Sequence, residues 1–363
     1  MKNKIAILAI LVLGVLIRTI FLNTNPPSLY GDELTILLDV NSLLHSGRDQ
    51  MGNFMPLTFP MGAGRPAGYV YFSIPFVAFF GTTALGARGL SIISAIGLIL
   101  LLYLICRIIL SGKIGLIAAF LYALSPWDIS LSRGGFEAHF ALFLAILGLY
   151  LFLKAKERPI FYIPAAVSFG LTLHTYSTYK LSLMIFLPLL FIYRYLEHPG
   201  SLIKGKRYFL TAVSVFLILA GLSLSQTFIG GSETRFFTIN IFSQDKLKNS
   251  IEEKINFERN ISRLPNSISK YFHNKPVEYF KILSENYLQN FSVDFLFIHG
   301  DRNPRHNMAT IGQLYFVDSI LILIGLLSYW GKQRKIILFL ISWVILAPIS
   351  TAAVDLPHAL RSS

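Results

Sequence analysis

The chain has 363 residues, 54% of them hydrophobic and only 14% charged, with a mean hydropathy of +0.59. That balance excludes an ordinary soluble domain and implies an all-α polytopic membrane protein, because several apolar runs approach the roughly 20 residues that cross a bilayer. The net charge of +13 suits nucleic acid at first sight, but cytoplasmic loops and contact with anionic head groups produce the same excess, so nucleic acid is excluded as a partner.

The first run, 5–22, follows Lys2 and Lys4 and leads into Pro26-Pro27 without a small-x-small cleavage site, which predicts an uncleaved membrane helix. Further runs lie near 66–82, 88–109, 114–126, 137–153, 160–175, 181–195, 208–226, 313–330 and 335–352. The single cysteine, Cys106, sits in one of them and excludes disulfides and cysteine-based metal sites. Basic residues cluster in short connections: Arg107 and Lys113; Lys154, Lys156 and Arg158; Arg194, Lys204, Lys206 and Arg207; Lys332, Arg334 and Lys335. Such connections stay cytoplasmic, and these groups share a side with Lys2 and Lys4 only if one early run fails to cross. The run "PAGYVYFSIPFVAFFG", with Pro66 and Pro75, is that run. It is read as an interfacial or re-entrant segment, leaving about nine transmembrane helices in one domain, 1–363, with the N-terminus cytoplasmic. Two segments then face outward. One is a first loop, 23–87; the other is a long polar loop, 227–311, whose "KNSIEEKINFERNISRL" has a helical pattern.

Within the first loop, DELTILLDVNSLL (32–44) makes an amphipathic helix along the membrane surface, with Asp32, Thr35, Asp39 and Ser42 on its polar side. Two readings of its acids stand together. Asp32 is an N-cap with Glu33 favourable in the first turn, or the pair does chemistry. "SPWDISLSRGGFEAH" (125–139) reads as an outward loop bent by Pro126 and Gly134-Gly135, carrying Asp128, Arg133, Glu137 and His139. Asp128 suits a cap. "FLFIHGDRNPRHN" (295–307) ends the long loop with His299, Arg302, Arg305 and His306, and "DLPHALRSS" ends the chain with His358 and Arg361. Acids from two early loops and Arg/His groups from two late ones suit one sheltered anionic ligand with a base beside it. His174, Tyr176 and Tyr179 read as packing residues near the end of a span.

The order "YGDE", Asp49 and Gly52, Pro56, "GRPAGY", Arg88, then "SPW" and "SR" before "FE", resembles the GT-C superfamily of glycosyltransferases that use polyprenyl-phosphate sugars. The protein O-mannosyltransferase and aminoarabinose-transferase-like branch is the most similar, and "HTYSTYK" and "GDRNPRH" are similar to its bacterial members. The resemblance implies Asp32 as catalytic base with Glu33 in support, Glu137 as the second-loop acid, and donor-phosphate binding by Arg65, Arg133, Arg302, Arg305, His306, His358 and Arg361. It implies a lipid-phosphate sugar donor, a protein, glycolipid or polysaccharide acceptor, and an active site on the outer face of the cell membrane. Direct displacement by an acceptor hydroxyl needs one base and predicts inversion. The resemblance is compatible with a divalent cation on Asp32 and Glu137, but the spacing does not require one and no metal ligand is assigned. Such families usually continue past "PHALRS", so the chain is expected to be a fragment. A transporter would place its ionisable groups inside the spans, often in matching halves; here the spans carry very few charges and no matching halves are visible. A non-catalytic assembly protein is the other alternative.

Overall fold

The structure, a computed structural model, describes residues 2–61, 64–197, 200, 205–228, 241–242, 245–307 and 311–353. Each of the ten apolar runs forms a helix. The first half holds α1 (Lys2–Thr19), α2 (Gly31–Ser46), α3 (Gly68–Phe80), α4 (Ala84–Ile109), α5 (Gly112–Ala123), α6 (Pro126–Ser132), α7 (Glu137–Lys154) and α8 (Tyr162–Leu173). The second holds α9 (Tyr179–Glu197), α10 (Lys206–Phe228), α11 (Asp245–Ile261), α12 (Asn266–Phe272), α13 (Lys275–Gln289), α14 (Phe316–Tyr329), α15 (Arg334–Leu346) and α16 (Ile349–Ala352). The only sheet among the described residues is an antiparallel pair, β1 (Thr58–Phe59) with β2 (Arg65–Pro66). The protein is a multi-pass helical membrane protein.

Five helical stretches are long and apolar enough to cross a bilayer: Ala84–Ile109, Glu137–Lys154, Tyr179–Glu197, Lys206–Gln226 and Arg334–Ala352. A sixth, α5 with α6, qualifies only as a broken span bent by 58°. Pro126 explains the break, since proline suits a helix start but not a helix interior. The expected bent loop at 125–136 is therefore corrected: its first half is the helix α6. The helix α3 has 13 residues, about 20 Å at 1.5 Å per residue, too short to cross a hydrocarbon core of about 30 Å. The helices α8 and α14, expected to cross, are also short apolar helices, so length does not single out 66–82.

The helix α4 is the hub, packing on α1, α3, α5 and α7. Lipid supplies no hydrophobic drive between helices, so small residues that let backbones approach carry the packing. A Cβ at Gly14 would lie 2.7 Å from Ile99 of α4, and one at Gly148 would lie 2.7 Å from Phe169 of α8. Three apolar cores result. Ile7, Ile99, Ala119 and Ala123 join α1, α4 and α5. Leu149, Phe152, Phe169 and Leu190 join α7, α8 and α9. The third, Ile36, Leu37, Val40, Phe59, Tyr69 and Val70, fixes α2 and the hairpin against α3 and thereby positions the site.

Candidate active site

The helix α2 forms as its pattern predicts, but its N-cap is Tyr30, so the N-cap reading of Asp32 is corrected. Asp32 and Glu33 occupy the first turn, where the helix dipole favours carboxylates. Glu33 is buried and fully engaged. Arg88 Nε and Nη2 donate to its two oxygens at 2.8 and 3.0 Å, Gly135 N donates at 2.8 Å, and Tyr30 N donates at 2.9 Å. Arg88 also donates to the carbonyls of Leu22 and Ser28. Glu33 thus fastens the start of α2 to α4 and to the turn before Glu137. Asp32, half-exposed beside it, has no side-chain hydrogen bond or ion pair among the described residues.

Arg65 is placed by the hairpin, where it pairs with Phe59, itself buried against Tyr71. The hairpin's exit needs Gly68. Its N–H bonds to His174 O at 2.8 Å, and a Cβ there would lie 2.5 Å from Thr175 Oγ1, so the "GRPAGY" glycine is a close-approach requirement. Arg65 is 1% exposed. Its Nε lies 2.5 Å from Glu137 Oε1, and it also contacts the Met61 sulfur. Its Nη1 has no partner among the described residues, an unusual condition for a buried guanidinium. Glu137, predicted as the second-loop acid, therefore meets Arg65 directly, held there by the first turn of α7.

The late segment 295–307 folds over the same place. Arg305 lies 6.0 Å over the Tyr30 ring, two residues from Asp32. The buried His306 packs edge-on to Phe136, the residue before Glu137, with ring centroids 5.1 Å apart. Arg302 is exposed without a partner among the described residues. Glu33 and the Arg65–Glu137 pair thus meet at the turn before α7, with Arg305 over the Tyr30 ring and His306 against Phe136. His358 and Arg361 lie outside the described residues.

Arg133 is the exception. Its guanidinium donates to the carbonyls of Ile17, Ile20 and Asn25 at 2.6 to 3.0 Å, clasping the C-terminal end of α1. Orphan carbonyls at a helix end call for such donors, which gives Arg133 a structural role there. Arg133→Ala is expected to lower thermal stability by about 1–3 kcal/mol through those unmatched carbonyls, with the donor KM unchanged in the protein that stays folded; thermal unfolding and steady-state kinetics check both.

The roles of two further acids escape the sequence reading. Asp128, read as a cap, is buried. It accepts from Arg18 Nη2 at 2.5 Å and Tyr122 Oη at 2.7 Å, and lies 2.8 Å from His139 Nε2, joining α1, α5, α6 and α7. Asp39 accepts from Gln50 N and Nε2 at 3.3 and 3.0 Å, strapping the loop after α2 onto it. Burial pushes the Asp39 carboxyl above its usual range, opposed by the Gln50 bonds and the charge of Arg65. His174 bonds to Leu219 O at 2.9 Å, as a packing residue would. The signal that finds Arg18 and Arg88 is a charge within an apolar run, which needs a partner. Among the described residues no group of three or more His, Cys, Asp or Glu side chains is arranged for a metal ion.

The architecture is a GT-C-type membrane fold. The family model described as dolichyl-phosphate-mannose-protein mannosyltransferase matches residues 65–223, from Arg65 to α10. Among solved structures, the chain is similar to the archaeal oligosaccharyltransferase AglB from Archaeoglobus fulgidus, solved with an inhibitory peptide and a dolichol-phosphate. The TM-score is 0.55 at 14% identity, covering 99% of this chain and 48% of that one. The Archaeoglobus fulgidus oligosaccharyltransferase tethered to an acceptor peptide gives a TM-score of 0.52 at 11% identity, covering 99% and 49%. The chain thus spans about half the length of the structures it matches. No curated protein matches by sequence.

Proposed function

We propose that the protein is a membrane glycosyltransferase that moves a sugar from a polyprenyl-phosphate donor to an acceptor hydroxyl on the non-cytoplasmic face. One observation carries this reading: beside the pairs Glu33–Arg88 and Arg65–Glu137, Asp32 alone of the three predicted acids keeps a carboxylate uncommitted among the described residues. A hydroxyl is a poor nucleophile, and a carboxylate that accepts its proton during attack is what the chemistry needs. The phosphate leaves without protonation but needs positive charge. Among the described residues, Arg65 Nη1 and the exposed Arg302 and Arg305 are donors without a carboxylate partner. With a single base, displacement is direct and the sugar carbon inverts. The basic short connections support a cytoplasmic N-terminus.

An apolar cavity of about 450 Å³ suits the isoprenoid chain. It is lined by Trp127, Phe186, Phe291, Phe295, Leu340 and Trp343, and Trp127 and Phe295 belong to the segments 125–139 and 295–307 that carry Glu137 and Arg305. The peptide and dolichol-phosphate of the AglB structure belong to that protein. For this chain the same donor class, with a protein, glycolipid or polysaccharide acceptor, is the proposal.

The test is transfer from radiolabelled polyprenyl-phosphate sugars in membranes holding the wild-type chain; absence of transfer with every donor would overturn the reading. Arg65→Ala is expected to lower kcat/KM for the donor by about 10²–10³, as loss of one charge-stabilising donor does elsewhere. Arg65→Lys should recover only part, because a lysine cannot reproduce the planar fork.

A further inference from the structure

The polar stretch α11–α13 is closed on one side and open on the other. Its inner side holds buried Ile251 and Ile255 with three ion pairs: Glu278 with Lys254 at 2.7 Å and with Lys281 at 2.5 Å, and Glu258 with His273 at 2.7 Å. Burial pushes the Glu278 carboxyl up, and the ammonium groups of Lys254 and Lys281 outweigh that and hold it below its usual range. Arg259 Nε donates to His273 O at 2.8 Å and seals the α11–α12 corner.

The outer side of that corner is apolar and uncovered. Phe257 and Ile261 share one stripe of α11, Leu264 lies in the turn, and Ile268 and Phe272 share a stripe of α12 with Tyr271 beside them. These six side chains are 45–79% exposed, although the surrounding sequence is polar. Three basic residues, Arg259, Arg263 and Lys270, lie between 257 and 272 against one acid, Glu258, which is spent on His273. Arg263 and Lys270 are exposed. The stretch is tied to the bilayer-crossing helix Arg334–Ala352 by α13. Asn286 Nδ2 donates to Ala352 O at 3.2 Å, and Tyr287 Oη donates to Ile345 O at 2.9 Å, within that helix. The end of α13 therefore packs along the last turns of that helix.

We infer that the α11–α12 corner, residues 257–272, is a membrane-surface anchor whose apolar side chains enter the head-group region of an anionic leaflet. A lipid surface is the occupant that fits. Aromatic and aliphatic side chains rimmed by Arg and Lys are the pattern of an interfacial helix, and the charge imbalance complements acidic phospholipid. The chain runs from the corner through α13 to a helix long and apolar enough to span the bilayer. The inference does not depend on the proposed transfer reaction.

The test places a nitroxide at 261, 268 or 272 of the full chain carrying Cys106→Ser, reconstituted in nanodiscs of mixed phosphatidylglycerol and phosphatidylcholine with no other protein. A label at Asn256, on another side of α11, serves as the water reference. The expected result is several-fold lower collision with a water-soluble nickel chelate, and higher collision with oxygen, at 261, 268 and 272 than at 256. Equal chelate access at all four sites would overturn the anchor and leave the patch to a polypeptide partner. Should Cys106→Ser not fold, Phe272→Trp in the native background replaces it. Added quenching by brominated phospholipid supports the anchor, and quenching equal to wild type overturns it.

Discussion

Replacing Glu33 by glutamine is expected to remove about 3–5 kcal/mol of stability, seen as a large drop in the unfolding temperature in detergent and in the folded yield. The carboxylate is buried and accepts four hydrogen bonds from three chain segments. The substitution leaves Arg88, 1% exposed, without its counter-charge. Bringing both charges out of water is costly, so the pair adds little over a well-packed apolar pair, whereas half of it is far worse than either. Arg88→Met alone should therefore be as damaging as Glu33→Gln, and Glu33→Leu with Arg88→Met should recover part of the loss. Recovery stays partial because Tyr30 N and Gly135 N would still lack their acceptor. A Glu33→Gln protein as stable as wild type would show that the bridge contributes nothing. The loss is one of folding: at equal folded amounts, donor affinity should change far less than yield.

The bridge also marks how far the sequence was legible. Apolar length and period are local properties, so all ten runs became helices and α2 lies where its amphipathic pattern put it. The bend at Pro126 was legible as a break, but not that α6 resumes beyond it. Pairings across the chain were not legible. Glu33 meets Arg88 at 55 positions' separation and Arg18 meets Asp128 at 110, and nothing in the residue order selects one arginine over another. The clasp of Arg133 on the end of α1 was hidden for the same reason: a basic residue near head-group depth suits a phosphate and a helix C-terminus equally, and only the approach of α1 reveals the second. Arg65 and Glu137, named separately from the sequence, turned out to be one ion pair.

Asp32→Asn is expected to reduce sugar transfer by about 10²–10⁴, the usual contribution of a positioned general base, with folding and donor binding retained. Asparagine keeps the size of the side chain and, because Asp32 has no ion-pair partner to lose among the described residues, it leaves the buried bridges intact. Stability and activity should thus separate at adjacent positions: Glu33→Gln costs folding, Asp32→Asn costs turnover. Glu137→Gln is the discriminating control. Its carboxylate is engaged by Arg65, so its removal frees that guanidinium and should change donor KM more than kcat. Asp32→Asn turning over at the wild-type rate while Glu137→Gln falls by orders of magnitude would move the base to the second loop. In that case the Arg65–Glu137 pair would have to open when donor binds, with the phosphate taking the carboxylate's place on Arg65.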